Sequence, residues 1–340
     1  MKGFSLVDSI NTSYTNFYRH NCTRDPIRYV HYHYEVARQR LHHLPRGQPA
    51  EHMQKCKVVQ YCGRDHQVAD WPTHKDVCKT IRLARKERRA EQVEEQMLAT
   101  LAAELSQTIP MADEGCDLDA LLKLARAELK VDTRRAVESA LGHLLETTRH
   151  AKNGMMGVAE LVPASLLRLG RDQEAYDFMK WVLTPDVLFN SPKRPYTAIK
   201  NENVLEPSTV FTGKTPSLGF ISILTLLKFR VLIDLEALQR RLPQELIDNI
   251  HKNMVSSAIT RETIECADHR EDIASVRADV ISLYDATKTW NPTFWPAVLR
   301  PGDDRSAQTE DESMAVEDTY KAWAETPGAI EALQALSREF

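Results

Sequence analysis

Cysteine is scarce in this chain: six residues in 340. That is too few for a secreted scaffold held together by disulfides. Long apolar runs are missing as well. The most apolar stretch, residues 218–227, falls well short of the roughly 20 residues that a membrane-spanning helix needs. The first twenty residues have neither the basic start nor the apolar centre of a secretory leader. Together these lacks point to an intracellular protein, cytoplasmic or nuclear, with reduced thiols and no membrane association. The formal net charge is only −4, so no basic field draws the chain to nucleic acid or to anionic lipid, and direct DNA contact is not expected. Signatures of catalysis are also missing. There is no glycine-rich phosphate loop, no nucleophile elbow and no His-Glu-x-x-His pair. Asp268, His269 and Asp272 fall within about one helical turn, but such a trio is ordinarily a solvated face. No enzymatic activity is expected.

Most of the chain reads as helix. Residues 79–105 contain no Gly or Pro and are rich in strong helix formers. Lys79, Arg82, Arg85, Lys86, Arg88 and Arg89 come before Glu91, Glu94 and Glu95. Basic groups at a helix start oppose the macrodipole. The helix is therefore expected to begin upstream, with its basic turns against an acidic or metal-bearing neighbour. Residues 118–129 and 134–148 read as amphipathic helices. Residues 155–169 and 172–183 read as a helix, a Gly170 stop and a second helix. This rhythm suggests antiparallel helices stacked in the manner of an α-solenoid. Pro185, Pro192, Pro195, Pro207 and Pro216 predict a long irregular crossing. Residues 218–241 are apolar over so wide an arc that they should form a helix buried at the centre of the C-terminal part. Residues 242–258 and 260–288 are expected to complete the bundle. Residues 302–318 are acidic and expected to be flexible, with a closing helix over 323–336.

Cysteine and histidine are unevenly distributed. Four of the six Cys and eight of the twelve His lie between residues 20 and 78. The dense part is Cys56-x5-Cys62-x3-His66-x7-His74-x3-Cys78. Zinc prefers tetrahedral thiolate and imidazole ligands. An x3 spacing places two ligands one turn apart on a helix, so His74 and Cys78 can reach one ion, and Cys62 and His66 another. A closed structural site takes four ligands. Five donors overfill one site and cannot complete two.

Tyr61, Cys62, Gln67, Asp70, Trp71, His74, Lys75 and Cys78, with Cys56 before them, stand in the register of a MYND-type zinc finger, which this segment resembles. Residues 166–181, 226–238, 294–302 and 320–330 are similar to the C-terminal region of an uncharacterised fungal family of MYND-finger proteins. The resemblance implies a cross-braced finger with two zinc ions. Cys62 and His66 belong to the first site; Cys56, His74 and Cys78 belong to the second. His66 stands where the family has Cys. Met53 stands where the third cysteine should be, and His52 beside it is a candidate replacement. The first two cysteines have no counterpart at family spacing, with Cys22, His42 and His43 the only stand-ins. The second site is therefore expected to hold zinc, and the first to be weak or empty.

The resemblance implies an interaction module whose zinc is structural and whose Gln67 and Trp71 face a proline-containing peptide, with a protein as partner. Packing of Trp71 into the finger core is the competing expectation. An alternative is a relative of the SET-type lysine methyltransferases, although the Asn-His-Ser and Gly-Glu-Glu-Leu segments of that class are absent. Another is a nuclear transcriptional regulator. The expected fold is mainly α. It divides into an atypical segment 1–51, a degenerate finger 52–78, a helical domain 79–300, an acidic flexible loop 301–318 and a C-terminal helix 319–340.

Overall fold

The computed structural model describes residues 52–53, 56–61, 64–104, 115–150, 158–184, 195–211, 217–239, 256–266, 268–301 and 309–339. The expectations for residues 1–51, for Cys62 and for helix over 242–255 lie outside these. Two compact units are present. Among the described residues, one takes those from 52 to 158 and the other those of 159–184 and 196–339.

In the first unit, strands β1 (His52–Met53) and β2 (Gln60–Tyr61) pair antiparallel, with His52 opposite Tyr61 and Met53 opposite Gln60. Helix α1 follows as Arg64–Glu104. It starts fourteen residues before Cys78, so its basic turns sit in mid-helix, away from the positive end of the macrodipole. Two of those bases meet buried or half-buried acids, as their sequence position suggested. Arg85 pairs with Glu128 at 2.5 Å, and Arg88 with Glu146 at 3.4 Å. Helix α2 (Gly115–Leu129) and helix α3 (Arg134–His150) pack against each other, and α2 packs against α1. Thr133 starts α3: its hydroxyl accepts the Ala136 amide at 3.1 Å, the usual arrangement for satisfying an orphan donor at a helix start.

The interior of this unit runs on through residue 78, where the finger was expected to end. Cys56, Val58, Val59, Tyr61 and Cys78 of the finger form one buried cluster with Ile81, Ala84, Leu124, Ala127, Val131 and Ala136. The finger shares its hydrophobic core with the helices that follow it. The two compact units divide near residue 158.

The second unit is built round helix α6 (Leu218–Gln239), which is buried on every side from Leu218 to Leu232. Before it come α4 (Leu161–Arg168) and α5 (Asp172–Val182), separated by Gly170 at φ 70°. The Arg171 amide reaches back to the Leu166 carbonyl at 2.9 Å, which closes α4 in a left-handed glycine cap. The proline-rich crossing is irregular where it is described, with single 3₁₀ turns at Tyr196–Ala198 and Ser208–Phe211. After α6 come α7 (Arg261–Glu265), α8 (Arg270–Trp290), α9 (Phe294–Leu299), α10 (Glu310–Glu325) and α11 (Ala329–Glu339).

Three expectations are corrected here. The single helix over 260–288 is broken. Cys266 is extended, and the Asp268 carboxylate takes the Arg270 amide at 3.1 Å. The acidic residues from 310 onward are helical. Thr309 and Glu312 form a reciprocal capping box, with Glu310, Asp311 and Glu312 at the positive end of the helix dipole. The closing helix is two helices, turned at Gly328 with φ 74°. The solenoid reading is also replaced. A solenoid repeat touches only its neighbours, yet α10 packs on α4 and α6 from far along the chain, and Arg168 clamps Glu325 with two bonds of 2.8 and 2.9 Å. The unit is a closed bundle.

Helix α6 carries two buried cations, each with partners. Lys228 Nζ lies 3.0 Å from Asp279 and donates to the Val204 carbonyl at 2.9 Å and the Glu206 carbonyl at 2.5 Å. Arg230 grips Asp172 at 2.6 and 3.1 Å and donates to Thr326 at 3.1 Å. An aromatic group of Tyr284, Phe294, Trp295 and Trp323 seals the bundle, with Tyr284 stacked on Trp295 at a centroid distance of 5.4 Å.

Candidate metal centre

Cys56 sits in the turn between β1 and β2, followed by Lys57 at φ 63°. That left-handed residue folds the chain back so that the amides of Val58 and Val59 face the Cys56 sulfur. His74 and Cys78 are four residues apart on α1 and so lie on one face. All three side chains are buried. The Cys56 sulfur lies 3.2 Å from His74 Nε2, and the three donor atoms lie within 4.8 Å of one another. Zinc–sulfur and zinc–nitrogen bonds of about 2.3 and 2.0 Å set tetrahedral edges of roughly 3.5–3.8 Å. Two soft thiols and one imidazole at this separation fit zinc.

Burial pushes the Cys56 thiol up to about 11, with neighbouring Cys78 adding to the rise and the amides of Val58 and Val59 opposing it. Burial also lowers His74, against the charge of Asp70. The imidazole is therefore neutral and ready to ligate at ordinary pH, whereas the thiol must give up a proton to the incoming ion.

Supporting contacts hold this arrangement. The Tyr61 hydroxyl donates to the Asp70 carboxylate, tying β2 to the first turns of α1. Arg85 donates to the Cys56 carbonyl and to buried Glu128. The Thr133 hydroxyl donates to the Val58 carbonyl at 2.7 Å while accepting the Ala136 amide. One end of the Cys56 turn is thus held by α1 and α2, the other by the start of α3. Arg85 was legible only as a base in want of an acid. The distant Glu128 and Thr133 carried no sequence signal as supports.

The fold brings together Cys56, His74 and Cys78 from the candidate set. His66 lies exposed on the first turn of α1, and among the described residues it belongs to no convergent group of donors. His52 is in β1, and Cys62 lies outside the described residues. Gln67 is half-buried, and Trp71, one turn further on, is 46% exposed rather than packed in the core. The trio near residue 268 does not form a cluster. His269 is buried, and its amide donates to Gln239. Asp268 is exposed and held by Arg270, whose hydrogen bonds bring its carboxyl down to about 2. Among the described residues no helix is long and apolar enough to cross a membrane.

Comparison with curated proteins finds no match, and neither does comparison with solved structures. The family model of the MYND finger matches residues 48–78. MYND fingers bind zinc, and the matched span holds all three convergent donors. The chain therefore carries a MYND-type zinc finger at residues 48–78, built into the first of the two units of a mainly α-helical fold.

Proposed function

We propose that this protein is a non-catalytic interaction protein whose finger presents a proline-containing segment of a partner to Gln67 and Trp71. The observation that carries this reading is the exposure of Trp71. A tryptophan held on a rigid helix, one turn after Gln67 and just before the ligand His74, is a flat apolar platform with a polar neighbour. Such a platform suits the face of a proline ring, and the amide of Gln67 suits a peptide carbonyl. Zinc in this reading fixes the pitch of the Cys56 turn on α1 and takes no part in chemistry: its three convergent donors lie in the buried interior that the finger shares with α1–α3.

The test is titration of the zinc-loaded full chain with a proline-rich peptide library. Wild type is expected to retain members that Trp71→Ala binds about tenfold more weakly or worse. Equal retention by both proteins contradicts the reading. Trp71 is exposed, so its truncation leaves the fold intact and the comparison clean.

A further inference from the structure

We propose that the outward face of α1 over residues 82–101 pairs in parallel with the same face of a second copy of this chain, forming a short two-stranded coiled coil.

The two sides of α1 differ in kind. His74, Cys78, Ile81, Ala84 and Arg88 are buried on the inward side. On the opposite side, Leu83, Ala90 and Met97 recur at seven-residue spacing, with Val93 three residues after Ala90 and Leu101 four after Met97. All are exposed: Leu83 57%, Val93 56%, Met97 68% and Leu101 47%. Leu83, Val93 and Met97 at seam positions, with Leu101 flanking them, exceed the scattered apolar residues of an ordinary surface. Their heptad spacing is that of a seam between helices.

Charge identifies the occupant and its direction. With Leu83, Ala90 and Met97 at the first heptad position, Arg82 and Arg89 immediately precede the seam residues. Glu87 and Glu94 follow them by four. In a parallel pair, the residue before a seam position faces the residue five further along the other helix. Arg82 then meets Glu87 of the partner subunit, and Arg89 meets Glu94 of the partner subunit. Both contacts recur by the two-fold axis, which makes four attractive pairs. In the antiparallel pairing, residues of the same kind face each other, arginine against arginine and glutamate against glutamate, so that direction is disfavoured. Arg82, Arg89 and Glu94 are exposed, and Glu87 shares Lys123 at 3.8 Å on an exposed surface. Lys86 and Thr100 at inner seam positions, and a seam of only three first-position residues, set the pairing as weak and concentration-dependent.

The experiment is sedimentation equilibrium of the zinc-loaded full chain from about 5 to about 500 µM at low salt. Wild type is expected to move from monomer to dimer across this range. Met97→Glu is expected to stay monomeric with an unchanged far-ultraviolet dichroism spectrum. Arg89→Glu is expected to raise the dimer dissociation constant about tenfold, and Arg89→Glu with Glu94→Arg is expected to restore it to within about threefold. A wild type that remains monomeric throughout overturns the proposal and leaves this face to a partner of another sequence. A dimer that Met97→Glu leaves unchanged overturns it as well. Failure of the charge exchange to restore pairing overturns the parallel direction.

Discussion

Burial acts in opposite directions on the two kinds of donor at the metal centre. It keeps the His74 imidazole unprotonated and keeps the Cys56 thiol protonated. Zinc loading must therefore displace at least the Cys56 proton, and apparent affinity should rise about tenfold or more per pH unit. Chelator competition at pH 6.5, 7.5 and 8.5 checks this; a flat response contradicts the ligand role of Cys56. Acid acts on the metal-free finger in the same sense. His74 has its folded-state value lowered, so the unfolded chain binds the extra proton and stability falls as pH drops through the ordinary imidazole range. Arg85 is the residue whose loss should reach furthest. Arg85→Ala leaves Glu128 buried without its cation and the Cys56 carbonyl without its donor, at a cost of about 3–5 kcal/mol. Arg85→Ala together with Glu128→Leu should recover part of it, read by denaturant unfolding. The three convergent ligands were visible in the sequence because metal coordination demands fixed residue types at fixed spacings. Arg85 and Glu128 were not paired there, since 43 residues separate them.

At the level of single helices, caps decide where the chain turns. Thr133 both caps α3 and holds the Val58 carbonyl, so Thr133→Ala should lower stability by about 1–2 kcal/mol. Thr309→Ala, a cap on an exposed helix start, should lower it by about 1 kcal/mol. A larger loss at Thr133 than at Thr309 is the result that supports a shared finger–helix structure; equal losses contradict it. Helix interiors such as 118–129 and 134–148 were legible from periodicity. Their ends, and the interruption between α7 and α8, were not. A capping box at Thr309 turns an acidic run into a helix start, and composition alone reads that run as flexible. The break before α8 depends on Asp268 and Gln239 accepting amides, a matter of tertiary contact.

For the molecule as a whole, the chain divides where the buried cores divide. The finger's Cys56, Val58 and Tyr61 pack on Ala84, Ala127 and Ala136. Small residues like these give no sign in sequence of what lies against them, and this is why a boundary at residue 78 was the natural expectation. Zinc removal should consequently loosen all of α1–α3 and leave the α6 bundle, held by Lys228–Asp279 and Arg230–Asp172, at its original unfolding midpoint. Hydrogen exchange with and without chelator checks this: loss of protection confined to the residues of β1 and β2 contradicts it. The most direct measurement is zinc per chain by elemental analysis of purified wild type and Cys78→Ala. The account predicts about one zinc in wild type and its loss in the variant. A zinc-free wild type, or a variant that keeps the wild-type content, contradicts a metal centre at Cys56, His74 and Cys78.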